Sequence, residues 1–170
     1  MFAKISRGID WFNTKQGDWT ALLILPLLGV VLYEVMMRYG FNAPTVWGFE
    51  MTGFLYGMHY MFGYSYTDVK DGHVRVDIFT SMTSKKTQAL IGALTTLVMF
   101  LPVMIAMTIA SAKYAWYSVE TLEKGSTSWA PPIYPFKVIM AVCFFFLLLQ
   151  GISNLIKYLQ IVFEKEEVQS

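Results

Sequence analysis

Charged residues set in long apolar runs are the first place to look for chemistry in this chain. Glu34 and Arg38 stand four apart near the end of one such run, a spacing that puts both on one helix face and lets them pair. Glu50 follows Arg38 by twelve residues, so a short connection between antiparallel helices would bring those two together as well. Two roles fit carboxylates so placed: an ion-coupling group in a transport path, or half of an interfacial salt bridge that locks the hairpin or grips a partner helix. A charge costs about 2.5–3.5 kcal/mol at a helix centre on insertion scales and less toward the ends. All three groups fall near ends, which favours the salt bridge.

His59 is the only histidine inside an apolar run. A bis-histidine haem needs a second ligand facing it across a bundle, and His73 belongs to the following loop. Zinc fails for the same shortage of ligands. His59 is therefore read as a packed, hydrogen-bonded helix residue. Between Asp71 and Phe79, Val74, Val76 and Ile78 alternate with His73, Arg75 and Asp77, an extended pattern. Were the segment helical, His73 and Asp77 would share a face. An acid–base pair is conceivable there, but nothing supplies a nucleophile or a substrate pocket, and a cytoplasmic hook that grips a neighbour fits better. Cys143 is the single cysteine and cannot close a disulfide within the chain. No glycine motif that cradles phosphate is present. No catalytic residue, cofactor or metal site is expected, and the chain is not read as an enzyme.

The elements that hold these residues follow from composition. Charged residues make up only 15% of the 170, against about 25% in a soluble domain, while 55% are hydrophobic. A net charge of +1 leaves no basic field for nucleic acid. Spanning a bilayer takes about 20 mostly apolar residues as a helix, since backbone groups in lipid must pair within the segment. Four stretches qualify, over about residues 19–39, 48–67, 87–112 and 136–157. The expected fold is an all-α integral membrane protein, a single domain of four transmembrane helices.

Trp19, Trp47, Trp116 and Trp129 each stand beside an expected boundary, where an indole is both apolar and wet. Pro26 and Pro102 lie inside the first and third spans and should kink them. Residues 1–18 lack the continuous apolar stretch and cleavage site of a secretory signal. Phe2, Ile5, Ile9 and Phe12 share one helical face there, which predicts a helix lying in the membrane interface. Residues 160–170 read as a polar cytoplasmic tail. Nine of the 13 Lys and Arg residues fall in the N-terminal segment, the loop between spans two and three, and the C-terminal end. Both termini are therefore expected on the cytoplasmic side. Lys113 and Lys137, on the opposite side, are expected to snorkel from helix ends.

Three motifs, in order on these spans, resemble the small membrane subunit of tripartite ATP-independent periplasmic (TRAP) transporters, the DctQ-like family. The first runs from Arg38 through Asn42, Pro44 and Trp47 to Glu50: an arginine, a turn with Asn and Pro, then Trp and Glu opening the second helix. The second is Gly72-His73-Val74-Arg75-Val76-Asp77, and the third Ser128-Trp129-Ala130-Pro131-Pro132-Ile133-Tyr134-Pro135. The chain departs from many members after Pro135, where Phe136 and Lys137 stand instead of a glycine shortly after the proline.

The resemblance implies a bacterial or archaeal inner-membrane machine of three parts. A periplasmic substrate-binding protein delivers an organic acid or similar solute, and a large membrane subunit moves it inward, usually with sodium. The small subunit pairs with the large one as a scaffold or stator, without a substrate site of its own. Arg38, Asn42, Pro44, Trp47, Glu50, His73 and Asp77 are then the residues expected to hold the hairpin and the partner. The competing reading is an autonomous homodimeric transporter with Glu34 or Glu50 as coupling carboxylate. A four-helix cytochrome is a third class, disfavoured by the histidine count.

Overall fold

This computed structural model describes residues 2–70, 72–73 and 82–163, and every regular element among them is helical. The helices are α1 (Phe2–Ala21), α2 (Ile24–Val35), α3 (Gly48–Val69), α4 (Lys85–Thr95), α5 (Leu101–Glu120) and α6 (Tyr134–Phe163). Three helical stretches are long and apolar enough to cross a membrane: Ala3–Gly40, Lys85–Glu120 and Tyr134–Phe163. The 22-residue α3 has the length but not the apolarity, because His59 and four tyrosines punctuate it.

Two of the irregularities fall where proline removes a backbone donor. α1 gives way to α2 at a tight turn over Leu22–Leu23, one turn ahead of Pro26, which cannot donate to the carbonyl of Leu22. A π-helical turn, Thr96–Phe100, joins α4 to α5 immediately before Pro102. A second π turn, Met36–Gly40, ends α2. Two helices outrun the spans read from the sequence. α5 continues through Lys113 to Glu120, and α6 reaches Phe163, so residues 160–163 are helix rather than tail. Asp77 and the rest of segment 74–81 lie outside the described residues, as do residues 164–170.

α6 is the hub, touching α1, α3, α4 and α5. Close approach is set by rings seated on glycines. Tyr66 of α3 covers Gly17 of α1, Phe136 of α6 covers Gly57 of α3, and Tyr158 of α6 covers Gly92 of α4. Phe100 covers Gly151 of α6, where an added Cβ would fall 2.3 Å from the ring. Between helices in a membrane there is no hydrophobic drive to associate, so such contacts and polar pairs carry the packing.

The interior accordingly inverts the pattern of a soluble protein. Its largest fully buried side chains are Gln150, Asn13, Ser65, Ser118 and Ser153. Apart from Leu27 and Met104, most Leu, Val, Ile and Met of α2, α4 and α5 face outward. α1 follows the same rule. Ser6, Asn13, Gly17 and Thr20 form its buried seam, while Ile5 of the apolar face is exposed and Phe12, also largely exposed, touches the bundle edge-on through Phe146 of α6.

Candidate functional site

The α2–α3 hairpin is closed by one carboxylate. Glu34 Oε1 accepts from Arg38 Nη2 at 2.6 Å and from Nε at 3.2 Å. Its other oxygen accepts from the hydroxyl of Thr45 and, at 3.3 Å, from the Thr45 backbone N–H. Thr45 Oγ1 in turn accepts from the N–H of Gly48 at 3.0 Å, which caps the first turn of α3. Gly48 is buried, and a Cβ there would lie 2.6 Å from Glu34 Oε2, so only glycine lets the start of α3 approach.

The turn residues have backbone reasons for their identity. Asn42 takes φ 52°, the left-handed region that asparagine tolerates, and Pro44 follows because the helix has ended. Trp47 stacks on Tyr33 of α2 with ring centroids 5.7 Å apart. Arg38 thus pairs with Glu34 and not with Glu50. Glu50 is half-buried in the first turn of α3 and has no hydrogen-bond or ion-pair partner among the described residues.

A larger polar network joins the two ends of the chain. Asn13 Nδ2 donates to Gln150 Oε1 at 2.8 Å, and Gln150 Nε2 donates to Asp10 Oδ1 at 3.0 Å and Asn154 Oδ1 at 3.2 Å. Asp10 also accepts from Ser153 Oγ at 2.8 Å and pairs with Lys157 Nζ at 2.8 Å. Asn154 Nδ2 carries the chain of bonds to Asp68 of α3 at 2.7 Å. Ser6 and Ser153 share a 2.7 Å hydroxyl contact, and Ser65 Oγ donates to Gln16 at 3.2 Å. His59 Nδ1 lies 3.2 Å from the carbonyl of Thr20, tying α3 to α1. The sequence reading missed most of this network. Its signal was there in Gln150, Ser153, Asn154 and Lys157, a polar stripe at helical spacing on an otherwise apolar helix.

At the opposite end of α6, Lys137 is buried instead of snorkelling. Its ammonium lies 3.7 Å from the centroid of the Tyr114 ring and pairs with Glu123. The Lys137 hydrogen bond holds the Glu123 carboxyl below its usual range. Glu123 is delivered by a Schellman turn, in which its N–H reaches the carbonyl of Ser118 and Leu122 takes φ 46°. The connection then folds back, with Ile133 N–H donating to Glu123 O and Gly125 N–H to Pro131 O.

An open groove of about 1010 Å³ lies between α4–α5 and α6. Asp68, Lys85, Gln88, Asn154 and Tyr158 line it together with apolar residues that include Met99, Phe100 and Val103. His73 sits exposed just beyond α3, and Asp77 lies outside the described residues, so their pairing has no geometry here. Among the described residues no group of three or more His, Cys, Asp or Glu gathers as a metal site. What the arrangement does chemically is to neutralise charge within the bundle: Glu34, Asp10 and Lys137 each end on a partner of opposite sign.

The family profile described as "Tripartite ATP-independent periplasmic transporters, DctQ component" matches residues 27–160. The chain belongs to the DctQ family. It is thus a transporter component of the membrane and not a member of an enzyme family. The DctQ match takes in the Glu34–Arg38–Thr45 closure, the Lys137 pocket and the α3 and α6 side of the polar network, while leaving all of α1 outside. Comparison with curated proteins finds no match.

Proposed function

We propose that this DctQ component is a stator. It pairs with the large membrane subunit of its transporter, supports sodium-coupled uptake of an organic acid or similar solute brought by a periplasmic binding protein, and binds no substrate itself. The family match over residues 27–160 carries this reading. The charge pattern supports it. The carboxylate deepest in α2, Glu34, is fully occupied by Arg38 and Thr45, which suits a lock and not an ion-releasing site. That weighs against an autonomous transporter using Glu34. Glu50 has no such partners, but it lies at the first turn of α3, where a charge is cheap.

In this reading α3 is a fourth span, sheltered by protein, and both termini lie in the cytoplasm. The Ala3–Gly40 stretch supports an N-terminal arm at the interface. At 1.5 Å per residue its 38 residues reach about 57 Å, far beyond a hydrocarbon core of about 30 Å. The portion beyond the break at Leu22–Leu23, α1, carries Lys4, Arg7, Lys15 and Asp18 outward along with Ile5 and part of Phe12. Arg38, Trp47 and Glu50 sit on the hairpin that would meet the partner, with Asn42 and Pro44 shaping its turn.

The test is a mild-detergent pull-down of the tagged chain from native membranes with mass spectrometry. One many-helix membrane protein should follow it at about equal amount, and vesicles holding the purified chain alone should not transport. Arg38→Ala should lower recovery of that partner while leaving solute capture by the binding protein intact. Normal assembly with lost transport would contradict the locking role of Arg38.

A further inference from the structure

α3 exposes one narrow stripe. Within the helix proper, the exposed positions are Phe49, Gly53, Tyr56, Tyr60 and Tyr64, with Lys70 just past its end. Their spacing of four, three, four and four places all five on one face. Tyrosines in a span ordinarily sit at the headgroup belts, where the ring is apolar and the hydroxyl wet. These three do not. At 1.5 Å per residue they stand about 12, 18 and 24 Å along a helix of about 33 Å, which puts Tyr60 near its middle.

The other outward faces look different. α2 offers Leu25, Leu28 and Leu32, and the α4–α5 stretch offers Val98, Val103 and Ile109, all suited to lipid tails. A column of phenol donors is not, because hydrocarbon provides no acceptor. The Tyr56 and Tyr60 rings lie 4.4 Å apart, so one phenol can serve the other, but the column still ends on donors facing away from this chain. Room for a neighbour is present as well. A Cβ on Gly53, within the stripe, or on Gly63, at its flank, would meet nothing within 4 Å, which leaves the backbone open to close approach by another helix.

We infer that the Phe49–Gly53–Tyr56–Tyr60–Tyr64 face of α3 is the seam on which a transmembrane helix of the large subunit packs, with oxygen acceptors on that helix taking the phenol protons. The inference rests on the stator reading and names the surface that reading leaves open. It also accounts for the shortfall in apolarity of α3: a helix covered on every side by protein needs no lipid-compatible face.

The test uses the complete transporter in native membranes. A photoreactive p-benzoylphenylalanine replaces Tyr56, Tyr60, Leu28 or Val103 in turn, and crosslinked products are identified by mass spectrometry. Tyr56 and Tyr60 should couple to one large membrane subunit, and Leu28 and Val103 should not. Coupling of the large subunit only at Leu28 or Val103 would overturn the seam while keeping the stator reading. Coupling of the stripe to a second copy of this chain would overturn it in favour of a homodimer. Absence of the large subunit from every product and from the pull-down would defeat both readings.

Tyr→Phe variants then separate the hydroxyl from the ring. Each should weaken retention of the large subunit about threefold, and the triple Tyr56→Phe, Tyr60→Phe, Tyr64→Phe variant about twenty-fold, with thermal unfolding of the isolated chain unchanged. Undiminished retention in the triple variant would refute the hydrogen-bonded seam.

Discussion

Replacing Gln150 with Leu probes the network that fastens α1 to α6. Gln150 has no exposure and makes three side-chain bonds, to Asn13, Asp10 and Asn154. The Asn13 side chain, equally buried, has no other partner, because its Oδ1 is already unsatisfied. Orphaning a buried amide costs about 1–3 kcal/mol. The interhelical bond lost by Asp10 adds about 0.6 kcal/mol, the average for such bonds in membranes, and the Asn154 bond, within α6 itself, adds less. Gln150→Leu should therefore destabilise the chain by about 2–4 kcal/mol. Adding Asn13→Leu removes the orphan and should recover part of the loss, since two apolar groups can replace a hydrogen-bonded pair at little cost. The assay is reversible unfolding in mixed micelles, titrated with a denaturing detergent, for the wild type, both single variants and the double. A double variant that merely sums the singles, within about 0.5 kcal/mol, would refute the direct coupling on which the reasoning depends.

The remaining expectations concern single positions. Gly48→Ala drives a Cβ against Glu34 and Thr45 and should cost about 1–3 kcal/mol, whereas Gly8→Ala, with nothing within 4 Å, should stabilise by about 0.5–1 kcal/mol; the same detergent unfolding reads both. Leu122→Gly relieves a left-handed backbone at φ 46° and should raise the unfolding midpoint by an amount equivalent to about 1 kcal/mol. Glu123 has its carboxyl pKa lowered by Lys137 from an ordinary value of 4.5. Its contribution is therefore complete above pH 4.5 and lost as pH falls through the lower folded value. Thermal midpoints measured from pH 7 to pH 3 should show the wild type above Glu123→Gln at neutral pH, with the two converging at the acid end.

Much of this architecture was legible from residue types. Spans follow from unbroken apolarity, and Pro26 and Pro102 announce the irregularities inside the first and third because proline cannot donate. The Glu34–Arg38 pair follows from helix geometry alone, since four residues make one turn. What stayed hidden depends on distance across the bundle. Lys137 reads as a snorkelling cation unless Tyr114 and Glu123, from other parts of the chain, are known to meet it. The departure from the family pattern at Phe136 and Lys137 acquires a physical sense in the same way. One side chain fills the notch at Gly57 and the other closes the pocket at Tyr114.

α1 shows why the inward face of a membrane helix is hard to read. Its apolar residues are conspicuous on a helical wheel, yet Ser6, Asn13, Gly17 and Thr20 mark the side that packs. In water the greasy face turns inward; in lipid smallness and hydrogen bonding decide instead. Arg38 and Glu50 illustrate a different limit. Their closeness in sequence permits a pairing, but the π turn and Thr45 give Glu34 the prior claim on the arginine.

The network between α1 and α6 also sets a clock. Asn13 and Gln150 are separated by 137 residues, so α1 leaves the ribosome well before α6 and waits for it before its polar seam is answered. At the usual 5–20 residues per second the wait is about 7–27 s. Throughout it, Asp10 and Asn13 are best accommodated where water can reach them, at the membrane surface. Arrival of α6 then draws the arm onto the bundle and closes the chain end to end. A subunit truncated before Gln150 would insert its early spans yet leave the arm undocked, a difference that quality-control proteases can recognise.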